Sequence, residues 1–433
     1  MEFATQCLHA GYEPKNGEPG ALPLVQSTTF KYDSTAEVAA LFDLKANGFF
    51  YSRLANPTVD AVERKLAALE GGVGALLTSS GQAASFIALM NLCRSGDHIV
   101  ASATIYGGVI NLLAVTMRRF GIEVTLVDQN LSNDELSSYF RPNTKALYAE
   151  TIANPSAQVL DLKRMADLAH AHGVPLVVDN TFATPYLCRP IEFGADIVVH
   201  STSKYLDGHA LGLGGAIIDS GKFDWRAHQD KFPEFSEPDE SYHSCVYTEA
   251  FGPAAYIVKA RAQLIRDLGC LQSPHNAFYL NQGLETLALR MPQYCHNAQA
   301  VATFLAQHPK VEQVFYPGLE SSPEHARAQQ YLPLGCSGVL SFTLKADATT
   351  ASDLEAGRAL AAQVIDRLKL IALKVHVADI KSIVMHPAST SHRQLSAKQL
   401  AAAGVSPTLI RLSVGLETVG DLIADLEQAL SQL

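Results

Sequence analysis

The sequence predicts an α/β fold, with a large, mainly parallel sheet domain followed by a smaller C-terminal α/β domain. Short runs that are apolar at almost every position indicate strands with both faces buried. Segments with helical periodicity separate these runs, as crossover connections do. After about residue 260 the helical patterns dominate. We expect an N-terminal arm over residues 1–57, the larger domain over 58–260 and the smaller domain over 261–433.

The first 57 residues are rich in turn-forming and aromatic residues and have no clear periodicity, which favours an extended arm over an independent domain. The first regular helix is expected from Thr58, a residue type that caps helices well. Three apolar residues share one face of this helix and two glycines end it, namely Val62, Leu66, Leu69, Gly71 and Gly72.

Seven strands then alternate with helices. In chain order the predicted strands are GALLTSS, HIVAS, VTLVD, ALYAET, LVVDN, DIVVHST and GGAIID. The helices between them include residues 83–93, 108–120 and 162–172. The smaller domain has fewer predicted strands, such as GVLSFTL and IRLSVGL. Because ligands of open α/β sheets gather at the carboxyl ends of the strands, the residues at those ends are the first candidates for a site.

Composition excludes several classes of protein. The 433 residues contain 33 Lys+Arg and 43 Asp+Glu, and the net charge of −10 is not arranged in long runs, which argues against nucleic acid as a partner. The sequence contains no apolar run of the roughly 18 residues that a membrane span needs, and its start does not resemble a signal peptide.

Seven scattered cysteines without CxxC spacing predict neither disulfides nor a zinc site and favour the cytoplasm. His170 and His172 lie on different helix faces, so no metal is expected there.

Two predicted strand ends run into glycine-containing turns. In TSSGQAA a helix begins at Ser80, Gly81 and Gln82, where backbone N–H groups and the helix dipole would suit a phosphate. A plain strand–turn–helix junction explains this pattern equally well. Tyr106 precedes two glycines after HIVAS, so its ring could lie over an aromatic ligand, although a surface turn is an equal alternative.

Two other strand ends carry charged residues. Asp179 ends an apolar strand, where an unpaired carboxylate is costly to bury and a protonated pyridine nitrogen would be a suitable partner. The alternative is an aspartate that caps the next segment. Lys204 follows another apolar strand and three hydroxyl residues. Burial lowers the pKa of a lysine as imine chemistry requires, and the hydroxyls could bond a phosphate, whereas the alternative is a solvated surface lysine.

Other nucleotide and hydrolase motifs are not supported. The glycine series that begin at Gly72 and Gly212 have Leu77 and Ile217 in place of the last glycine of GxGxxG. Lys222 follows a glycine but is not followed by the Ser or Thr of a Walker A motif, and the sequence has no GxSxG.

Taken together, these segments resemble the Cys/Met metabolism family of pyridoxal-phosphate (PLP) enzymes, from TQCLHAGYEP to IRLSVGLETVGDL. The resemblance implies the aspartate-aminotransferase-like fold (fold type I) and PLP as cofactor. It implies that Lys204 is the Schiff-base lysine and general base, that Asp179 bonds the pyridine nitrogen, and that Tyr106 stacks on the ring as a candidate proton-transfer partner. The residues that it implies around the phosphate are Gly81, Gln82, Ser201 and Ser203.

The resemblance also assigns residues outside these segments. Tyr51 and Arg53, in YSRLANPT, are expected to reach the phosphate of a neighbouring subunit, which implies a homo-oligomer, a tetramer built as a dimer of dimers. Asn154 is expected beside the cofactor, Arg411 on the substrate α-carboxylate, and Ser382 in the facing substrate loop.

Within the family, several stretches are most similar to O-acetylhomoserine sulfhydrylases, including IIDSGKFDW, FPEFSEPDESYH, VYTEAFGP and KSIVMHPASTSH, together with Gln82 where many relatives have Met. Two departures are Ser203, where Thr is commoner, and Asp207, which puts the local substrate contacts in doubt. The implied reaction is γ-replacement in methionine biosynthesis, in which O-acetylhomoserine and sulfide or a thiol give homocysteine and acetate. The alternatives are cystathionine γ-synthase, O-succinylhomoserine sulfhydrylase and methionine γ-lyase. A nicotinamide oxidoreductase and a non-catalytic scaffold are less consistent with the motifs.

Overall fold

The computed structural model describes residues 1–347, 349–350, 353–390, 393, 400 and 404–433. Its larger sheet has seven strands in the order β1-β7-β6-β5-β4-β2-β3. These strands are β1 (Gly74–Thr78), β2 (His98–Ser102), β3 (Glu123–Val127), β4 (Thr144–Glu150), β5 (Leu176–Asp179), β6 (Ile197–His200) and β7 (Gly215–Asp219). Only β7 runs antiparallel to its neighbours in this sheet. The predicted α/β fold with a mainly parallel sheet is therefore confirmed.

The described α-helices are α1 (Phe3–His9), α2 (Thr35–Phe42), α3 (Pro57–Glu70), α4 (Gly81–Met90), α5 (Gly107–Asn111), α6 (Asn133–Ser137), α7 (Leu162–Ala171), α8 (Thr184–Leu187), α9 (Pro233–Ser236), α10 (Tyr247–Ala250), α11 (Ala255–Lys259), α12 (Arg266–Leu268), α13 (Pro274–Glu285), α14 (Leu287–Gln307), α15 (His325–Tyr331), α16 (Leu354–Ile365) and α17 (Val419–Leu430). The helix predicted over 108–120 is divided, because α5 continues as a π-helix over Leu112–Thr116 and a 3₁₀ turn over Met117–Phe120. No helix in the described ranges is long and apolar enough to cross a membrane.

The apolar composition of the central strands follows from burial on both faces of the sheet. In β2, Ile99 and Ala101 belong to the core on one face, whereas Val100 between them belongs to the core on the other. Successive side chains of a strand point to opposite faces, so both positions must be apolar.

A second sheet of five strands has the order β10-β11-β12-β9-β8. Its strands are β8 (Val311–Phe315), β9 (Val339–Leu344), β10 (Ala372–Leu373), β11 (Ile383–Met385) and β12 (Leu409–Ser413). Only the short β10–β11 pair is parallel among these strands. One hydrophobic core contains residues of both sheets, such as Val178 and Leu412, so the two sheets are packed together through apolar side chains.

The N-terminal residues are more ordered than the sequence suggested. Helix α1 buries Cys7 completely and packs against α3, α13 and α14 of the same chain. Helix α2 is capped by Ser34, whose hydroxyl accepts a hydrogen bond from the backbone of Glu37. The expectation that these residues lack regular structure is therefore wrong for α1 and α2. Helix α1 has no clear apolar periodicity because it is only seven residues long and buries one residue.

Candidate active site

A cavity of about 660 Å³ lies where the two sheets meet. One wall is formed by residues that follow the carboxyl ends of β1, β2, β4, β5 and β6. Strand β7 is reversed, so its first residue, Gly215, pairs with Thr78 at the end of β1 and lies at the same edge. The opposite wall comes from β11, β12 and the loop of residues 374–382.

Lys204 contributes an amine to this cavity. It follows β6 by four residues, and the backbone carbonyl of Lys204 accepts a hydrogen bond from Gly208, which fixes the turn. Burial, reinforced by the positive charge of Arg411, lowers the pKa of Lys204 to about 8. The Nζ atom lies 3.0 Å from Nδ1 of His376. A lysine in this environment is partly deprotonated near neutral pH and can act as a base or nucleophile.

Two carboxyl groups lie side by side at the ends of β4 and β5, because Glu150 and Asp179 are register partners. Asp179 faces the cavity, and its Oδ1 accepts hydrogen bonds from the backbone N–H and the hydroxyl of Thr181. Glu150 accepts a 2.7 Å hydrogen bond from the backbone N–H of Tyr106. Burial raises the pKa of both carboxyls, and the charge of Asp179 raises the pKa of Glu150 further. Of the two carboxyls, Glu150 is therefore the better suited to hold a proton and Asp179 the better suited to be the anion.

Tyr106 stands at the cavity with 45% of its surface exposed. Its backbone is held by Glu150, and its ring lies against Gly108, where an added Cβ would be only 2.5 Å from Cε1 of the ring. A side chain at residue 108 would displace the ring, so the glycine is required for this ring position.

The segment predicted to bind a phosphate, residues 80–82, contacts residues that follow other strands of the larger sheet. Gly81 is the first residue of α4, and a Cβ there would lie 2.6 Å from Cβ of Ser201. Ser201 is itself held by a 2.8 Å hydrogen bond from its backbone N–H to the hydroxyl of Thr181. The amide of Gln82 donates to the backbone oxygen of Gly108, which ties this segment to the one that carries Tyr106.

Ser203 lines the same cavity but its hydroxyl is already engaged. It donates to the backbone oxygen of Gly214 and accepts from the backbone N–H of the same residue. The hydroxyl therefore fastens the turn after β6 to the start of β7 in this structure.

Arg411, on the opposite wall, reaches across to Asn154, which follows β4, although 257 positions separate the two residues in the sequence. Arg411 projects from β12, is 5% exposed, and donates to Oδ1 of Asn154 at 3.2 Å and to the backbone oxygen of His376 at 3.0 Å. In the part of the chain that the structure describes, no carboxylate forms an ion pair with Arg411. A buried guanidinium with donors facing a cavity is suited to a carboxylate ligand.

Neither Ser382, which was expected in the substrate loop, nor Asp207, the departure after Lys204, lines the cavity. Ser382 does not line the cavity, because its hydroxyl donates to Glu417 at 2.8 Å and accepts from the backbone N–H of Gly415. Asp207 is buried and accepts hydrogen bonds from the backbone of His209, Leu211 and Gly212. It stabilises the glycine-rich loop that follows Lys204 and does not face the cavity.

Tyr51 and Arg53 are not brought to the cavity of their own chain. Both are exposed, and the guanidinium of Arg53 lies 5.1 Å from the centre of the Tyr51 ring. Of the remaining stretch KSIVMHPASTSH, residues 391–392 lie outside the described residues.

Glu150 and His376 are two charged or titratable cavity residues that sequence reasoning missed. Glu150 carried a usable signal, because it ends an apolar strand just as Asp179 does. His376 carried none, since it lies in an irregular segment and contacts a lysine 172 positions away.

The comparisons with known proteins agree with this geometry. The sequence profile of the family described as "Cys/Met metabolism PLP-dependent enzyme" matches residues 4–431. The chain is 45% identical to a homocysteine/cysteine synthase of Kluyveromyces lactis, across 98% of this chain and 96% of that relative. It is 44% identical to an O-acetyl-L-homoserine sulfhydrylase of Leptospira meyeri, across 99% of this chain and 96% of that relative.

Solved structures show the same likeness. A crystal structure from Campylobacter jejuni, named as an O-acetylhomoserine (thiol)-lyase, matches with a TM-score of 0.94 and 38% identity, across 100% of both chains. That structure contains N′-pyridoxyl-lysine-5′-monophosphate, a lysine joined to the cofactor.

Proposed function

The chain belongs to the Cys/Met metabolism family of PLP-dependent enzymes, and we propose that it catalyses the sulfhydrylation of O-acetylhomoserine in methionine biosynthesis. Its cofactor is pyridoxal 5′-phosphate. The proposed reaction joins sulfide to the homoserine skeleton and releases acetate, so that homocysteine is the product; a small thiol in place of sulfide would give a thioether. The observation that carries the proposal is one cavity that contains a half-buried lysine amine, a half-buried carboxylate and a buried arginine, namely Lys204, Asp179 and Arg411.

The residues of the cavity fit the cofactor. Asp179 is a half-buried carboxylate that lines the cavity, and no lysine, arginine or histidine of the described chain forms an ion pair with it. A protonated pyridine nitrogen supplies the missing cation. At the other end, Gly81 begins a ten-residue helix, and Ser80 caps it by accepting from the backbone of Ala83. The remaining N–H groups of this first turn are suited to the cofactor phosphate.

We assign the proton transfers to Lys204. When PLP is bound, it withdraws electrons from the substrate carbons and makes their protons removable. The amine of Lys204, with its pKa near 8, is suited to take the proton at Cα. It would pass this proton to the bound cofactor and, neutral again, take the proton at Cβ. Acetate leaves from Cγ, the sulfur adds to Cγ, and the protons return to Cβ and Cα from the same amine. Tyr106 lines the same cavity and is placed to assist in this proton transfer.

Arg411 and Asn154 orient the substrate. A charged guanidinium binds an α-carboxylate through two parallel hydrogen bonds, and Asn154 fixes the direction in which Arg411 points. The substrate is then held between this arginine and Lys204 on the opposite wall. This placement exposes the Cα proton to the amine and leaves the side chain of the substrate along the cavity.

The exposed pair Tyr51 and Arg53 supports a homo-oligomer in which each cavity is completed by a second copy. An arginine with permanent charge and a planar set of donors suits a phosphate, whereas among the described residues no carboxylate forms an ion pair with Arg53, which lies over the ring of Tyr51. We propose a tetramer built as a dimer of dimers. All seven cysteines are free, which supports a cytoplasmic location.

The deciding experiment is an assay of purified holoenzyme with O-acetylhomoserine and O-succinylhomoserine, each with sulfide and with cysteine. The proposal expects the highest kcat/KM for the acetyl ester with sulfide. Preference for cysteine would identify a cystathionine γ-synthase, and preference for the succinyl ester would identify an O-succinylhomoserine sulfhydrylase. Release of an α-keto acid and a thiol from methionine would identify a methionine γ-lyase.

A further inference from the structure

A histidine contacts the amine to which we assign proton transfer. His376 lies in the loop of residues 374–382 and lines the cavity. Its Nδ1 is 3.0 Å from Nζ of Lys204. Its Nε2 is buried and has no hydrogen-bond partner among the described residues.

We propose that His376 is a positioning residue, whose neutral imidazole accepts a hydrogen bond from Lys204 and holds that amine in the cavity while it is free of the cofactor. The inference rests on the proposed function, because it concerns the amine that would move the protons. The amine must stay within reach of the substrate through two removals of a proton. A flexible four-carbon side chain without a partner would lose this position.

The direction of the hydrogen bond follows from the chemistry of the two groups. A lysine ammonium has three donors and no acceptor, and a protonated imidazole has two donors and no acceptor. The contact is therefore a bond from Nζ to an unprotonated Nδ1, with the ring proton on Nε2. A cationic ring would place two donors against each other inside the protein.

The charges around His376 favour the neutral ring. Burial, together with the positive charges of Lys204, Arg411 and Lys374, lowers the pKa of His376 to about 4, although the charge of Asp379 opposes this shift. The ring is therefore neutral throughout the range in which Lys204 titrates. His376 is an acceptor for the amine and does not compete with it for the proton.

The backbone around His376 is anchored independently of its ring. The backbone oxygen of His376 accepts from Arg411 at 3.0 Å. Two residues later, the backbone N–H of Ala378 donates to the hydroxyl of Ser413 at 2.7 Å. A change of the side chain should therefore leave the loop in place, so the effect of the ring can be tested by substitution.

The test measures the pKa of Lys204 in cofactor-free protein. Pulses of an acetylating reagent are given across pH 6 to 10, and peptide mass spectrometry compares acetylation of Lys204 with that of the exposed Lys15. An acceptor stabilises the ammonium more than the amine, so His376→Leu should lower the pKa of Lys204 by about one unit. His376→Gln retains an acceptor and should keep most of the wild-type value. Leu373→Ala, on the exposed neighbouring strand β10, is the control for changes in the loop.

Two results would overturn the inference. An unchanged pKa in His376→Leu would mean that the ring is only part of the wall. A raised pKa would mean that the ring is a cation that repels Lys204. In holoenzyme we expect His376→Leu to lower kcat about tenfold with little change in KM, and His376→Gln to restore most of it.

The two proposals fail separately. If wild-type enzyme does not convert O-acetylhomoserine, the proposed function fails, but the acetylation profile still decides the role of His376. If the enzyme converts that substrate and the profile does not move, only the inference about His376 is wrong.

Discussion

The side chains on the two walls of the cavity are positioned in different ways. On the wall of the larger sheet, Glu150, Asp179 and Lys204 stand at or just after the ends of three adjacent strands, β4, β5 and β6. On the wall of the smaller sheet, Arg411 projects from within β12 and His376 from a loop. The first wall positions its groups through strand register, whereas the second positions them through hydrogen bonds to each other and to the first wall.

This difference indicates a division of work. The larger sheet supplies a lysine and two carboxyl groups, which are suited to move protons and to hold a charged ring. The smaller sheet supplies the cation suited to bind the substrate carboxylate and the acceptor for the amine. Substitutions on the first wall should therefore act on kcat, and loss of Arg411 should act on KM.

Lys204→Ala should have the largest effect, because one residue both attaches the cofactor and moves the protons. We expect kcat to fall by at least about 10³-fold. Borohydride reduction of wild-type holoenzyme should fix a pyridoxyl group on Lys204, as peptide mass spectrometry would show. Lys45→Ala, an exposed lysine, is the control and should leave both results unchanged. A label on another lysine would remove Lys204 from the site.

Asp179→Ala should have the next largest effect. Without its carboxylate the pyridine nitrogen loses its counter-charge, and we expect kcat to fall by about 10²- to 10³-fold, with a smaller loss in Asp179→Glu. Glu150→Gln is the matched control on the neighbouring strand. Its amide keeps the oxygen that accepts from Tyr106, and a protonated Glu150 carries no charge to lose, so most activity should remain. A near-normal kcat in Asp179→Ala would contradict the division between the walls.

The contrast between the walls also explains what the sequence could predict. Strand ends converge by topology, so apolar runs that end in Asp179 and Lys204 place those residues at one edge without any knowledge of tertiary contacts. The positions of Asn154 and Arg411 came from the family resemblance, and the structure brings them together. On the other wall, Ser382 was misplaced because it precedes β11 and turns toward Glu417, while His376 in the preceding loop faces Lys204. No local pattern predicts a contact between an irregular loop and a residue 172 positions away.

Arg411→Met tests the second wall. The substrate carboxylate would lose a charged partner that binds it through two hydrogen bonds. We therefore expect KM for O-acetylhomoserine to rise about 10- to 100-fold with a smaller change in kcat. Arg119→Met changes an exposed arginine and serves as the control. A fall in kcat with unchanged KM would show that Arg411 acts on the chemical step and would break the comparison.

Arg53→Ala should have the smallest effect on a single subunit, since Arg53 is exposed and does not line its own cavity. If it completes the phosphate site of a second copy, its loss should weaken PLP retention about tenfold while each subunit stays folded. Dialysis against buffer without PLP, followed by absorbance of the bound cofactor, measures this retention. Arg64→Ala, an exposed arginine that pairs with Asp60 on α3, is the matched control and should retain PLP as wild type does.

A complementation experiment decides whether one chain forms a complete active site or needs Arg53 of a second copy. We mix Arg53→Ala with Lys204→Ala, each inactive under limiting PLP, then dissociate and reassemble them. Some mixed oligomers would contain a cavity with an intact Lys204 and an intact Arg53 from the neighbouring copy, so partial activity should return. The alternative is that Arg53 is a surface residue whose charge contributes at most about 1 kcal/mol to the stability of its own subunit. If hybrid oligomers form and no activity returns, Arg53 serves its own chain or none, and the cavity is built from the two sheets of one subunit alone.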